Sequence, residues 1–173
     1  MKNQVRFSLM MLSALLVMPS LVHADASNYA FVDVAKVFDE YQKTKDNDQQ
    51  LQTAGKKKEM ERDNLVHEIR QMKDEMVLLR DDAKVKKQDT LDAKIKTLEQ
   101  FDETARQALG EQRNNVVKEI FKDIDDTVQR YGQRKGLEYI LNERALVYHS
   151  TQNDISKEIV DELNKNYASK KKK

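Results

Sequence analysis

Residues 137–164, LEYILNERALVYHSTQNDISKEIVDELN, decide how the rest of the chain is read. Leu137 to Leu141 and Leu146 to His149 are short β-branched, aromatic and aliphatic runs on either side of Asn142 to Ala145, and they read as a hairpin. Ser156 or Asp154 then caps an amphipathic helix with Ile159, Val160 and Leu163 on one face. Immediately upstream, Gly132-Gln-Arg-Lys-Gly136 ends a long helix, with glycine beyond basic residues. Far upstream, Asn28 to Val34 (NYAFVDV) reads as one more strand.

Between these ends the period is helical. From Val34 a seam alternates steps of three and four through Val37, Tyr41, Thr44, Asp48, Leu51, Gly55, Lys58, Arg62, Leu65, Ile69, Met72, Met76, Leu79 and Ala83. This is the 3.5-residue repeat of a coiled coil, apolar at both ends and polar in the middle. A second seam runs through Leu91, Ile95, Leu98, Asp102, Ala105, Leu109 and Gln112, then loosens to steps of four at Val116, Ile120, Ile124 and Val128. Such a stutter locally unwinds a supercoil where the arm meets its base. Residues 80–90, RDDAKVKKQDT, contain no glycine or proline, so one continuous helix and two antiparallel helices both fit. Asp81 and Asp82 suit the first turn of a new helix, which favours the hairpin.

Several apolar residues lie off the seam. Met60, Val85 and Phe101 are candidates for exposed contact with a binding partner, whereas Val66, Val77 and Leu78 suit a widened contact within the hairpin. Val77 and Leu78 remain secondary contact candidates. A turn near residues 80 and 81 sets Gly55 opposite residue 106 and Gly110 opposite residue 51, two weak points at one level and a candidate hinge.

The first 24 residues read as an export signal. Lys2 and Arg6 precede a short apolar run from Phe7 to Met18, and Val22-His23-Ala24 places small residues where a signal peptidase cuts. The run falls short of the ~20 apolar residues that span a bilayer. Cleavage removes two of the 31 Lys and Arg and none of the 30 Asp and Glu, leaving a net charge of about −1 and no general case for nucleic acid. The absence of cysteine excludes disulfides, so an exported chain must rely on packing or association.

Enzymatic motifs do not hold up. Gly55-Lys56 lacks the glycine five residues earlier that a phosphate loop requires, because Gln50 stands there. His67 and His149 have no zinc-ligand spacing around them. Asp81/Asp82 and Asp125/Asp126 are sequence neighbours, which point apart on a helix and cannot share a proton. The reading is therefore a non-enzyme with no catalytic, metal or cofactor-binding residues and no cofactor.

The order of export signal, YAFVDVAKVFDEY, long arms, LRDDAKVKKQDTL, GLEYILNERALVYHSTQNDIS and KEIVDELN resembles the Skp/OmpH family of periplasmic chaperones for outer-membrane proteins. Gly136 to Asn164 is the most specific part of the resemblance. It implies an α+β fold, mostly α, in which a long antiparallel helical hairpin projects from a small β-containing trimerisation body. Residues 25–37 and 132–168 would form the body, 38–131 the arm with its tip near 80–90, and 169–173 a disordered lysine tail.

One protomer offers too little structure to bury Phe31, Val32, Ile140, Leu146 and Tyr148 without open sheet edges, so these are the expected oligomerisation residues. The family likeness implies a periplasmic, ATP-independent holdase, a homotrimer that keeps unfolded outer-membrane β-barrel proteins in a cavity between its arms. Weak contact of the lysine tail with anionic membrane is a further expectation. The competing reading, a secreted structural spacer of the cell envelope, calls for a well-filled seam, whereas this one is polar at Asp48, Lys58, Arg62, Asp102 and Gln112.

Overall fold

The computed structural model describes residues 28–172; the expected export signal lies outside them. The element order is β1 (Tyr29–Val32), α1 (Val34–Glu40), α2 (Gln42–Val77), α3 (Asp81–Lys135), β2 (Tyr139–Asn142), two single 3₁₀ turns at Glu143–Ala145 and Thr151–Asn153, and α4 (Ser156–Lys171). α2 and α3 form the antiparallel arm. Their 36 and 55 residues give about 54 and 82 Å of helix at 1.5 Å per residue.

The break between the arm helices is sharper and earlier than the 80–90 region expected. α2 stops at Val77, Leu78 caps it, and α3 begins at Asp81 after Arg80. Asp81 and Asp82 occupy the first turn of α3, where carboxylates oppose the positive end of the helix dipole. At its far end α3 closes in a Schellman motif. Gly136 takes φ 66°, which costs glycine little, and the Leu137 N–H donates to the Gly132 carbonyl at 3.0 Å. Gly132 lies inside the helix where space is tight: a Cβ there would stand 3.0 Å from Ile140 Cδ1, the end of a side chain that would have to shift by a few tenths of an ångström.

The two strands are parallel and in register from Tyr29↔Tyr139 to Val32↔Asn142. Parallel strands need a long crossover, and here the entire arm is that crossover. The expected hairpin within 137–149 does not form in the single chain. β2 pairs with β1 instead, Glu143–Ala145 is a 3₁₀ turn, and Leu146–His149 runs as irregular chain. That segment brings the His149 ring to 4.2 Å from Phe31. β1 is consequently covered on both faces. Ala30 and Val32 join the helical core with Val37, Ile120, Ile124, Ile159 and Leu163, while Phe31 lies under His149. Phe31 and Val32 are buried within one chain, which corrects the expectation that they need a second copy.

The first seam is interrupted at Tyr41, whose backbone is extended and splits α1 from α2. The Tyr41 side chain enters the core, packs edge-on against Tyr167, and donates from its hydroxyl to Asp123 at 3.2 Å. Burial, then the charge of Asp123, pushes its pKa far up. The freed N-terminus of α2 is capped from another element: the Gln42 N–H donates to Asn164 Oδ1 at 2.7 Å. The expected body–arm boundary at 37/38 therefore falls inside α1, and Phe38 packs against the core.

Neither expected residue is the N-cap of α4, a position held by Ile155. Asp154 Oδ1 accepts from the Ser156 N–H and hydroxyl, and fully buried Ser156 Oγ accepts from the Asp33 N–H at 2.8 Å. This chain of bonds joins the start of α4 to the junction of β1 and α1.

The lysine tail expected to be disordered is helical through Lys171. Asp46 on α2 holds it in place, accepting from Gln42 Nε2 at 2.8 Å, from the Tyr167 hydroxyl at 3.0 Å and from Lys171 Nζ at 3.0 Å. These bonds, with Gln42 the largest cause, lower the Asp46 pKa to about 2. A carboxylate stronger in the folded state than its usual ~3.9 stabilises above that value and loses its effect as pH falls through the folded one. Amide protection in the last turn of α4 is expected to persist down to about pH 4 and to fall away toward pH 2. In Asp46→Asn that protection is already reduced at neutral pH; equal protection in both chains at every pH would show that the clamp does not hold the helix end.

Candidate functional site

The arm is the part of the fold with surface to spare. At its root, Lys43 on α2 reaches across to Asp123 at 2.9 Å and Glu119 at 3.3 Å on α3. Burial alone would lower the lysine's pKa, but the two carboxylates raise it on balance. Phe38 stacks on Phe121 at 5.3 Å beside this pair, and Phe121 stays largely exposed.

Midway along, polar contacts replace the apolar seam. Arg62 Nε donates to Asp102 Oδ1 at 3.0 Å, and Glu68 pairs with Lys94 and Glu75 with Lys87 further out. Exposed pairs of this kind contribute only about 0.2–1 kcal/mol each, so they set register more than they add stability. The register puts Gly55 and Gly110 within about one helical turn of the same level. Both lie in unbroken helix with nothing within 4 Å of where a Cβ would stand.

Toward the tip, Ile69 and Leu91 are buried against the facing helix while other apolar side chains are not. Met60 is 63% exposed and Val85 68%, as their off-seam positions imply. Val77 and Leu78, expected inside the hairpin contact, are 76% and 87% exposed, because α2 ends there and the chain turns away. Phe101 is only half-exposed; Lys58 Nζ lies 5.2 Å from its ring centroid and pairs with Glu61 at 2.8 Å. Val66 is half-buried.

A second apolar surface lies on the body. Tyr29, Tyr139, Leu141, Val147 and Tyr148 are all exposed, with Val147 at 107% and Tyr148 at 87%, whereas Ile140 and Leu146 are half-buried. Of the five body residues expected from sequence, only Tyr148 is strongly exposed. Tyr29, Tyr139 and Val147 were not singled out from sequence; Tyr29 and Tyr139 come side by side only through the observed register of β1 and β2. His149 Nε2 is 3.0 Å from Glu143 Oε1, so this histidine orders the loop beneath the patch. No described helix is long and apolar enough to cross a membrane.

The model of the OmpH-like outer membrane protein family matches residues 28–163. The fold is similar to the crystal structure of an OmpH-like protein from Caulobacter crescentus CB15, provisionally described as an outer membrane chaperone. The TM-score is 0.75 at 13% identity, over 80% of this chain and 85% of that one. No curated protein matches the sequence.

Proposed function

The chain belongs to the OmpH-like outer membrane protein family, and from that premise we propose that it is an ATP-independent periplasmic holdase for unfolded outer-membrane β-barrel proteins. The observation that carries this reading is the exposure of scattered apolar side chains at and below the arm tip: Met60, Val77, Leu78 and Val85. Scattered apolar contacts, methionine among them, bind many sequences without demanding one shape. Unfolded barrel strands present alternating apolar residues and unpaired edges, which suit such contacts.

The exposed Val147 and Tyr148 on the body support association, and a trimer is the number that the family resemblance implies. Three arms would then surround a cavity. Among the described residues, lysine contact with anionic membrane is retained for Lys170 and Lys172, since Lys171 is engaged by Asp46.

The test is light scattering of the exported chain, alone and with a urea-diluted β-barrel protein. Substituting Met60, Leu78 and Val85 together by serine is expected to weaken suppression of client aggregation several-fold while changing stability by less than ~1 kcal/mol, because exposed positions contribute little to packing. Undiminished suppression would remove these residues from the client surface. Phe101, half covered by Lys58, is a secondary contact in this scheme.

Gly55 and Gly110 are proposed as the hinge that widens the cavity. Changing both to alanine adds roughly 1 kcal/mol of helix propensity per site, and the open space at each admits the methyl group. Spin labels at Lys84 should then report a narrower tip-to-tip distance distribution, with large clients lost first. An unchanged width would mean that the glycines are merely tolerated.

A further inference from the structure

Where the arm joins the body, α1, α2 and α3 enclose a cleft of about 180 Å³ whose walls are Phe38, Leu51, Val116 and Ile120. An apolar cavity of roughly 150 Å³ is large enough to bind benzene, so this one has room for a single aromatic ring. Two features set it apart from an ordinary gap between helices. Thr44, 5% exposed, borders it, and Thr44 Oγ1 is buried with no hydrogen-bond partner. A helical threonine ordinarily bonds the carbonyl one turn back and so divides between two rotamers. Here the backbone kink at Tyr41 separates Thr44 from the preceding helix. The Thr44 hydroxyl therefore has no bond of its own to give up when a ligand group reaches it. A buried hydroxyl left unpaired is costly, and a ligand donor or acceptor would recover that loss.

The second feature is the rim. Asp48 and Gln112 accept, Gln112 and Arg113 donate, and neither Asp48 nor Arg113 makes an ion pair among the described residues. An exposed carboxylate on α2 and an exposed guanidinium on α3, both lining the cleft, match neither a simple anion nor a simple cation. They match the N–H and C=O groups of an unpaired extended backbone, which presents both. Along such a strand every second side chain points the same way, so one ring can enter while the flanking peptides lie on the rim.

We propose that this cleft is a side-chain pocket for a tyrosine on an extended client strand, the ring among the apolar walls and the phenol hydroxyl bonded to Thr44. The inference rests on the holdase reading and names the client group held at the arm root. Outer-membrane strands carry aromatic girdles at both ends, so such a side chain recurs in clients of this class.

The probes are p-cresol and toluene, titrated into the exported chain with its methyl groups isotope-labelled. p-Cresol is expected to shift the methyl resonances of Thr44, Leu51 and Val116 together and saturably. Thr44→Val keeps the shape and removes the hydroxyl; it should lower the ratio of p-cresol to toluene affinity about fivefold, the worth of one neutral hydrogen bond, with thermal stability equal or higher. Shifts that miss the cleft, or a ratio that Thr44→Val leaves unchanged, would overturn the pocket. Client aggregation is followed in parallel with the unsubstituted chain. If it suppresses aggregation and p-cresol misses the cleft, only the pocket falls; if p-cresol binds as expected and aggregation is not suppressed, the holdase reading falls instead.

Discussion

Ile159→Ala is expected to lower the stability of the body by about 2–5 kcal/mol, the range for deleting a fully buried aliphatic side chain. Ile159 is 0% exposed and sits where α4 meets α1, α3 and β1, in one cluster with Val32, Val37, Ile120, Ile124 and Leu163. That cluster is small and carries no disulfide, while a domain's whole stability is about 5–15 kcal/mol. The cavity cannot close readily, because α4 is tied at one end through Ser156 and Asp33 and at the other through Lys171 and Asp46. Urea unfolding of the protein gives the measurement. The midpoint should drop sharply, with release of α4 preceding loss of the arm's helical signal. A shift equivalent to less than ~1 kcal/mol would mean that α4 does not complete the core.

Joint substitution of Val147 and Tyr148 by aspartate is expected to convert the proposed trimer to folded monomers. Both side chains project from the irregular segment between the 3₁₀ turns, at 107% and 87% exposure, so within one chain they have almost nothing to lose. Burial of two large apolar side chains contributes about 1.5–3 kcal/mol each, and that gain recurs at every copy of a symmetric interface. Aspartate would forfeit it and add charge that is costly to desolvate. Sedimentation should show the mass falling to that of one chain, with the helical circular dichroism signal and the Phe31–His149 contact retained. Unchanged mass with intact folding would place the interface elsewhere on the body. Because the arms are held together by α2–α3 contacts within each chain, the client binding proposed for the arms should survive in weakened form in single chains, which separates assembly from contact.

The two interventions act on different parts of the sheet region, and their contrast explains why the body was harder to read than the arm. Repeated apolar residues from Val34 to Ala83 and from Leu91 to Val128 specify helix many times over, and each turn confirms the last. Asp81 and Asp82 before a new seam, and Gly136 after Arg134 and Lys135, mark ends by chemistry confined to a few residues. The antiparallel arm, the closing helix around Ile159 and Leu163, and the exposure of Met60 and Val85 all follow from such local signals.

Strand partnership has no comparable redundancy. Four residues of alternating character at Tyr139–Asn142 say that a strand can form, but not that its partner is Tyr29–Val32, more than a hundred positions away and parallel. The nearer run at Leu146–His149 offered an equally good local match, and tertiary packing rejected it by setting His149 over Phe31. Tyr41 was read as one more seam residue because its spacing is right; the break there exists because Tyr167, Asp123 and Asn164 converge on it from other elements. The lysine tail is ordered by a single carboxylate on another helix, Asp46. Period and capping thus determined the helices, since those signals lie within a few residues of each other. The tertiary structure alone decided which strands pair, that the first seam breaks at Tyr41 and that Val77 and Leu78 stay exposed, because each of these depends on more than the residues next to it in sequence.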